Sequence, residues 1–185
     1  MNREFVDKAA EALRHNGVVL CPSDTIASLS CLATSEQAMS RIQEIKQRPE
    51  DKRFIVLVSN YTMLEGLVRN IPEAAYQLME VSEKPVTMIY PEARNLPESL
   101  KAPDGSIGIR VVHGGFITRL INRLRQPILS TSANISGQQA PIRIAEVDPI
   151  ISQAVDLVVP IEEFKTQPSS IIKFEKDGSF KLVRT

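Results

Sequence analysis

Short apolar runs alternate with amphipathic helical segments along this chain, and this alternation constrains its fold more than any other feature. Continuously apolar runs are typical of strands buried on both faces of a sheet. The segments between them place their apolar residues on one helical face. The predicted strands are residues 18–21, 54–58, 86–90, 107–112, 128–131, 155–159, 170–174 and 180–183, and the predicted helices are residues 3–15, 35–47, 61–69, 72–81 and 116–124, with a short one ending near 154.

The order of these elements predicts the fold class. Strands and helices alternate without internal repeats, low-complexity stretches or a Gly/Ser linker, so residues 1–185 are predicted to form a single α/β domain. We expect an open, twisted, mixed β-sheet flanked by helices. Because ligands of such sheets bind at strand ends, polar motifs that follow a predicted strand are the first candidates for a functional site.

Composition and charge exclude several classes of protein. Apolar content of 43% and charged content of 24% fit a soluble globular protein. Lys+Arg and Asp+Glu both total 22, and this neutrality argues against a dedicated nucleic-acid binder. The N-terminal segment is charged, and no apolar run approaches the roughly 20 residues of a membrane helix. We therefore predict a cytoplasmic protein without a membrane partner.

The two cysteines predict neither a metal site nor a redox site. Cys21 and Cys31 lack C-x-x-C spacing, and neither has a histidine pair nearby. Both lie in apolar surroundings. We expect buried, reduced thiols and no resident metal.

Two polar motifs predict an anion site. Lys46 and Arg48 lie one residue apart at the end of a predicted helix, and Ser132 and Asn134 follow an apolar strand and precede Gly137. A Lys and an Arg placed in this way can bind a polyanion, and small polar residues beside a turn glycine let side chains and backbone N–H groups converge on it. Both motifs also have a structural interpretation, as cations at a helix C-terminus and as caps of a turn.

This K-x-R and S-x-N pairing resembles the YrdC/Sua5 family, the L-threonylcarbamoyladenylate synthases that begin the N6-threonylcarbamoyladenosine (t6A) modification of tRNA. The resemblance covers nearly the whole chain and is closest to the short, single-domain form. The family's P-T-[DE]-T strand end matches Cys21-Pro22-Ser23-Asp24-Thr25. The other matching segments are residues 46–52, 85–87, 107–110, 130–137 and 168–172.

The resemblance implies the residues of a two-substrate site. The catalytic residues it implies are Lys46, Arg48, Ser132 and Asn134, which would surround the phosphates and the reacting carboxyl groups. The ATP-binding residues it implies are Arg48, Lys52, Ser106, Ser132 and Arg184. The threonine-binding residues it implies are Thr25, Arg110, Ser130 and Ser169. Mg²⁺ is expected to arrive with ATP, and no organic cofactor is expected.

The resemblance also implies a reaction. The amine of threonine takes up bicarbonate to give a carbamate, which attacks the α-phosphate of ATP and releases pyrophosphate. A downstream threonylcarbamoyl-transfer complex then passes the group to tRNA. An alternative stays open at this point: a module of the same fold that binds double-stranded RNA or tRNA without synthase activity.

Two segments depart from the family pattern, one at residues 27–30 and the other at Glu83-Lys84-Pro85, where many members have P-G-P. Where the family has [YW]-G-[LI]-G, this chain has Ala27-Ser28-Leu29-Ser30. We expect the loss of an aromatic side chain at Ala27 to remove one wall of the pocket. The resulting expectation is a wider amino-acid end and weaker threonine binding.

Overall fold

The computed structural model describes residues 3–47, 54–161 and 169–184. These residues form a nine-stranded sheet and the helices that flank it. The strands are β1 (Val19–Pro22), β2 (Ala27–Leu32), β3 (Ile55–Val58), β4 (Val86–Tyr90), β5 (Ile107–Val111), β6 (Ile128–Ser132), β7 (Leu157–Val158), β8 (Ser170–Phe174) and β9 (Phe180–Arg184). The helices are α1 (Arg3–Arg14), α2 (Glu36–Lys46), α3 (Tyr61–Leu67), α4 (Glu73–Val81), α5 (Gly115–Leu124) and α6 (Pro149–Ala154), with short 3₁₀ turns at Glu98–Leu100 and Ile144–Glu146.

The sheet is open and mixed, as the sequence predicts. Its strand order is β7-β1-β2-β6-β3-β5-β4-β8-β9. The pairs β1–β7, β3–β5 and β4–β8 are parallel, and the remaining neighbours are antiparallel. Strands that are distant in sequence therefore lie side by side, and β6 brings the S-x-N segment between β2 and β3.

Each face of the sheet has its own core. Successive strand residues point to opposite faces, so Val56 and Val58 lie in one cluster while Leu57 lies in the other. Helices α2, α3, α4 and α6 contribute to the first cluster. Helices α1 and α5 cover the second face over the β1, β6 and β3 region. None of the helices in the described ranges packs on the part of the second face formed by β4, β5 and β8, and this part forms the floor of a cavity.

Local sequence signals set several element ends. Ser35 caps α2 by accepting a hydrogen bond from the Ala38 N–H at 3.2 Å, and Gln47 ends the helix in the left-handed region. The β8–β9 hairpin turns at Asp177-Gly178, where Gly178 has φ 85°. Ser35 and Gly178 therefore set these element ends by physical effects that are typical of their residue types.

Three expectations need correction. The sequence predicts no strand over residues 27–32, but the structure has β2 there. Its apolar residues Ala27, Leu29 and Cys31 alternate with buried serines. Pro72 is the residue before α4 rather than part of its first turn. Strand β7 is limited to Leu157–Val158, because only these residues pair with β1.

The prediction of buried, reduced cysteine thiols is confirmed. Cys21 and Cys31 carry free thiols and are fully buried. Burial raises the pKa of Cys21 to about 11 and that of Cys31 to about 12. No helix in the described ranges is both long enough and apolar enough to cross a membrane.

Candidate active site

A cavity of about 620 Å³ opens on the uncovered part of the second sheet face, and we call it the sheet cavity. Its floor is built from alternate residues of neighbouring strands, because only these point to this face. Gly108 and Arg110 come from β5, Thr87 and Ile89 from β4. Ser28 of β2 and Ser130 and Ser132 of β6 form the polar end of the wall.

Most of the described candidate residues line this cavity. They are Thr25, Ser106, Arg110, Ser130, Ser132, Ser169 and Arg184, drawn from both the amino-acid and the nucleotide set. Lys46 and Asn134 contact Ser132 but are not among the residues that line the cavity. Arg48 and Lys52 lie outside the described residues. The geometry is therefore consistent with one shared site, and the roles of the individual residues stay predictions.

Arg110 is the cation at the centre of the cavity floor. Its side chain is only 5% exposed, and it forms an ion pair with Asp24, with 2.8 Å between Nη2 and Oδ1. Its Nη1 donates to the Thr87 hydroxyl at 3.2 Å. Its buried Nε has no hydrogen-bond partner among the described residues. A guanidinium fixed on two sides in this way is held ready for an oxyanion, which it binds by charge-assisted hydrogen bonds.

Thr25 is placed by a tight turn at the end of β1. The Ser23 hydroxyl donates to the Ile26 carbonyl at 2.8 Å and accepts from the Thr25 and Ile26 N–H groups, both at 3.1 Å. It also lies 2.9 Å from the Thr25 hydroxyl. Short hydroxyl side chains commonly form such hydrogen bonds in turns. The Ser23 hydroxyl thereby stabilises the turn from which Thr25 lines the cavity.

Ser106 is oriented by the turn before β5. Asp104 accepts hydrogen bonds from the Ser106 hydroxyl at 2.6 Å and from its N–H at 3.0 Å. These two bonds, with Lys173 at 3.1 Å, hold the pKa of Asp104 far below its ordinary value. The carboxylate therefore stays ionised and fixes the Ser106 hydroxyl at the cavity rim.

Lys46 contacts the S-x-N loop from behind. Its ammonium donates to the Ser132 carbonyl and, at 2.6 Å, to the Asn134 carbonyl. In the reverse direction, the Ser136 N–H donates to the Lys46 carbonyl at 2.9 Å. The side chain is 1% exposed. Lys46 therefore acts as a clamp that joins the end of α2 to this loop.

Asn134 closes the same loop. Its side-chain oxygen accepts from the Ser132 hydroxyl at 2.5 Å, and its amide nitrogen donates to the carbonyls of Ile135 and Gln138 at 2.9 and 2.8 Å. The capping interpretation of the S-x-N motif is thus realised in the structure. The same bonds fix the direction of the Ser132 hydroxyl beside the cavity.

The expectation for the altered β2 segment is wrong in one respect. Ala27 is fully buried in the first core cluster, on the opposite face from the cavity. Ile26 and Ser28 line the cavity instead, as the two-residue period of a strand requires. The replaced aromatic position is therefore no wall of this cavity. The serine at position 28 is the departure that reaches it, next to its cross-strand partner Ser132.

Sequence reasoning missed three residues of this region. Thr87 and Ser28 line the sheet cavity, and Asp24 holds Arg110. Thr87 lies within the 85–87 segment and Asp24 within the 21–25 segment, so both were in matching motifs without an assigned role. Only the pairing of β4, β5 and β8 reveals what they contact.

A second cavity of about 690 Å³ borders the Ser23-Asp24 turn from the other side. It is lined by residues of the α4–β4 and β5–α5 connections, among them Lys84 and His113, and by Arg119 of α5. None of the described candidate residues lines it. Of the two cavities, the sheet cavity is therefore the one that described candidate residues line.

Comparison with known proteins places the chain in a family. The sequence matches the Sua5/YciO/YrdC family, described as "Telomere recombination", over residues 11–185. A curated relative from Pseudoalteromonas translucida, named threonylcarbamoyl-AMP synthase, is 32% identical over 92% of this chain and 93% of its own length. The chain belongs to the Sua5/YciO/YrdC family.

Two solved structures agree with this assignment. YciO from E. coli superimposes with a TM-score of 0.84 at 25% identity, over 97% of this chain and 88% of that one. Sua5 from P. abyssi, solved in complex with L-threonine, has a TM-score of 0.84 at 26% identity. This chain covers 53% of that Sua5 chain, so it spans about half the length of that relative.

Proposed function

We propose that this chain is a threonylcarbamoyl-AMP synthase, which converts ATP, L-threonine and bicarbonate to threonylcarbamoyl-AMP and pyrophosphate. The observation that carries the proposal is the sheet cavity, where the described candidates for amino-acid and nucleotide binding line one space. The names of the curated relatives support the same activity. The product would supply the first step of t6A formation, and its consumer would be a transfer complex acting on tRNA.

The proposed amino-acid site centres on Arg110. Its guanidinium binds the threonine carboxylate, because Asp24 and Thr87 already fix its orientation. Thr25, Ser130 and Ser169 offer hydroxyl groups to the remaining polar atoms of the amino acid. The amine is then free to take up bicarbonate with loss of water, which gives a carbamate.

The proposed nucleotide site lies at the Ser106, Ser132 and Arg184 side of the cavity. Arg48 and Lys52 are proposed to complete it. The carbamate oxygen attacks the α-phosphorus, the bond to the bridging oxygen breaks, and pyrophosphate leaves. Two anions must approach each other, so neutralising charge is the main task of the site.

The S-x-N loop and its clamp are proposed to serve that task. Ser132 donates a hydrogen bond to the developing charge, and Asn134 fixes its direction. Arg48 is proposed to contact the phosphates directly. Lys46 holds the loop carbonyls, so its contribution to the reaction passes through the loop.

ATP is proposed to enter as its Mg²⁺ complex. The described residues that line the sheet cavity include no carboxylate, and no group of three His, Cys, Asp or Glu side chains suited to a metal occurs among the described residues. The described residues thus offer no fitting metal-ligand set of their own. The metal would be held by phosphate oxygens and water, which is usual for Mg²⁺.

The RNA-binding alternative is not favoured. The curated relatives that cover most of this chain are named as synthases. Contact with tRNA or double-stranded RNA remains a proposal about partners. We propose a cytoplasmic location with the synthase activity, because the reaction consumes ATP.

The direct test is pyrophosphate release by the purified chain. Release should require ATP, threonine and bicarbonate together and should cease when any one is omitted. Arg110→Gln should abolish it. Arg123→Gln should not, because Arg123 pairs with Asp7 at the surface, away from the cavity. Pyrophosphate release that does not depend on threonine would contradict the proposal.

A further inference from the structure

A continuous chain of polar contacts crosses the floor of the sheet cavity. Asp24 accepts from Arg110 at 2.8 Å, and Arg110 donates to the Thr87 hydroxyl at 3.2 Å. The Thr87 hydroxyl lies 2.8 Å from the Ser169 hydroxyl. Arg184 Nη2 in turn lies 3.5 Å from the Ser169 hydroxyl and donates to the Ser169 carbonyl at 2.8 Å. The chain therefore joins the arginine of the amino-acid side to the arginine of the nucleotide side.

Thr87 is the middle of this chain. It lies on β4, between β5, which carries Arg110, and β8, which Ser169 directly precedes. Its side chain is 1% exposed, so water does not replace its bonds. Without the hydroxyl, Asp24 is the one side-chain partner that Arg110 keeps among the described residues, and the Ser169 hydroxyl loses its hydrogen bond to β4. The two arginines would then be held independently of each other.

We propose that Thr87 is a positioning residue that couples the two ligand sites. A carboxylate that binds Arg110 further restricts its guanidinium, and the contacts of Thr87 with Ser169 and of Ser169 with Arg184 pass this restriction to the nucleotide side. Binding of either ligand thus prepares the site of the other. Coupling of binding free energies is reciprocal, so each ligand raises the affinity for the other by the same factor. This inference rests on the proposed function, because it takes threonine and ATP as the two ligands.

A purely structural role for Thr87 predicts something different. A buried hydroxyl that only stabilises the fold would lower the melting temperature when removed and leave the ratio of affinities unchanged. A coupling role changes that ratio. The decisive quantity is the threonine Kd without ATP divided by the threonine Kd with ATP, which we call the coupling factor.

The experiment is calorimetric titration of threonine, with and without saturating ATP, in degassed bicarbonate-free buffer where no turnover occurs. Thr87→Val removes the hydroxyl and keeps the shape, whereas Thr87→Ser keeps the hydroxyl. Thr118→Val is the matched control, because the Thr118 hydroxyl of α5 is buried without a hydrogen-bond partner among the described residues. Ser169→Ala removes the same link from its other end and serves if Thr87→Val does not fold.

We expect a coupling factor of about fivefold or more for the unaltered chain, within the range usual for linked sites. It should fall towards one in Thr87→Val and Ser169→Ala, and it should persist in Thr87→Ser and Thr118→Val. A Thr87→Val or Ser169→Ala chain that folds and keeps the full coupling factor overturns the inference. If the unaltered chain binds both ligands with a coupling factor of one, the inference about Thr87 is overturned and the proposed function is not. If the unaltered chain binds neither ligand, the proposed function is overturned as well.

Discussion

Gly108 sets the depth of the sheet cavity, because it lies on the floor and has no side chain. A Cβ at this position would meet the Thr87 Cγ2 at 3.6 Å and the Ile55 Cγ1 at 3.9 Å, which are ordinary contacts. Its backbone is not in the left-handed region, so a Cβ fits the strand without backbone strain. The missing side chain is thus a feature of the cavity rather than a need of the fold.

We predict that Gly108→Val folds and loses ligand binding. The valine side chain occupies the floor between Thr87 and Ile55, so threonine or ATP affinity should fall by about tenfold or more, equal to about 1.4 kcal/mol. Calorimetric titration and a thermal melt measure the two effects.

Gly66→Ala is the control for this substitution. A Cβ at Gly66 meets nothing within 4 Å, and the residue lies in α3. It should leave binding unchanged and stabilise the protein by up to about 1 kcal/mol. Unchanged binding in Gly108→Val would show that the ligands do not reach the cavity floor.

The two cysteines give a second prediction at the residue scale. Burial raises the pKa of both thiols to about 11 and about 12, so the reactive thiolate is scarce in mildly alkaline buffer. We predict that neither Cys21 nor Cys31 reacts with a thiol reagent in the native protein and that both react after denaturation. Fast labelling of one thiol in the native state would show that its strand opens.

Among the structural elements, the S-x-N loop depends on α2 through Lys46. We predict that Lys46→Met lowers the free energy of unfolding by about 1–3 kcal/mol, because two loop carbonyls lose a charged donor while the side-chain stem is kept. Denaturant unfolding measures the change. Lys8→Met, at an exposed ion pair in α1, should shift stability by no more than about 0.5 kcal/mol. Equal effects of the two changes would contradict the clamp.

The turn before β5 should respond to pH. The folded-state pKa of Asp104 lies below its ordinary value of 3.8, so its ionised form stabilises the fold above that pH and loses this effect as the pH falls further. We predict that the stability difference between the unaltered chain and Asp104→Asn is largest near neutral pH and shrinks below 3.8. A difference that is constant across this range would mean that the charge contributes nothing.

Elements with a local signal could be predicted from the sequence, and β2 could not. Helix α2 has a cap at Ser35, and the β8–β9 hairpin has an Asp-Gly turn. Strand β2 alternates small apolar residues with Ser28 and Ser30, whose hydroxyls suggest a loop. Their burial is explained only by neighbouring strands: Ser28 donates to the Cys21 carbonyl at 3.1 Å, and Ser30 lies beside the Cys21 thiol.

For the whole molecule, the sequence predicts an open mixed α/β sheet but not its strand order. The placement of β6 between β2 and β3, and of β4 between β5 and β8, depends on contacts between distant segments. The same limit applies to the site. The candidate residues could be named from motifs, whereas the Asp24–Arg110–Thr87–Ser169 contacts follow only from that strand order.

We propose that the protein joins threonine, bicarbonate and ATP in a single cavity. The most direct test is to incubate the purified chain with isotope-labelled bicarbonate, threonine and ATP and to identify the nucleotide product by mass spectrometry. We expect threonylcarbamoyl-AMP that carries the label, formed in an amount equal to that of the pyrophosphate released. The labelled product should be absent when Arg110→Gln replaces the unaltered chain. Pyrophosphate released together with plain AMP, or no labelled adenylate while both substrates bind, would contradict it.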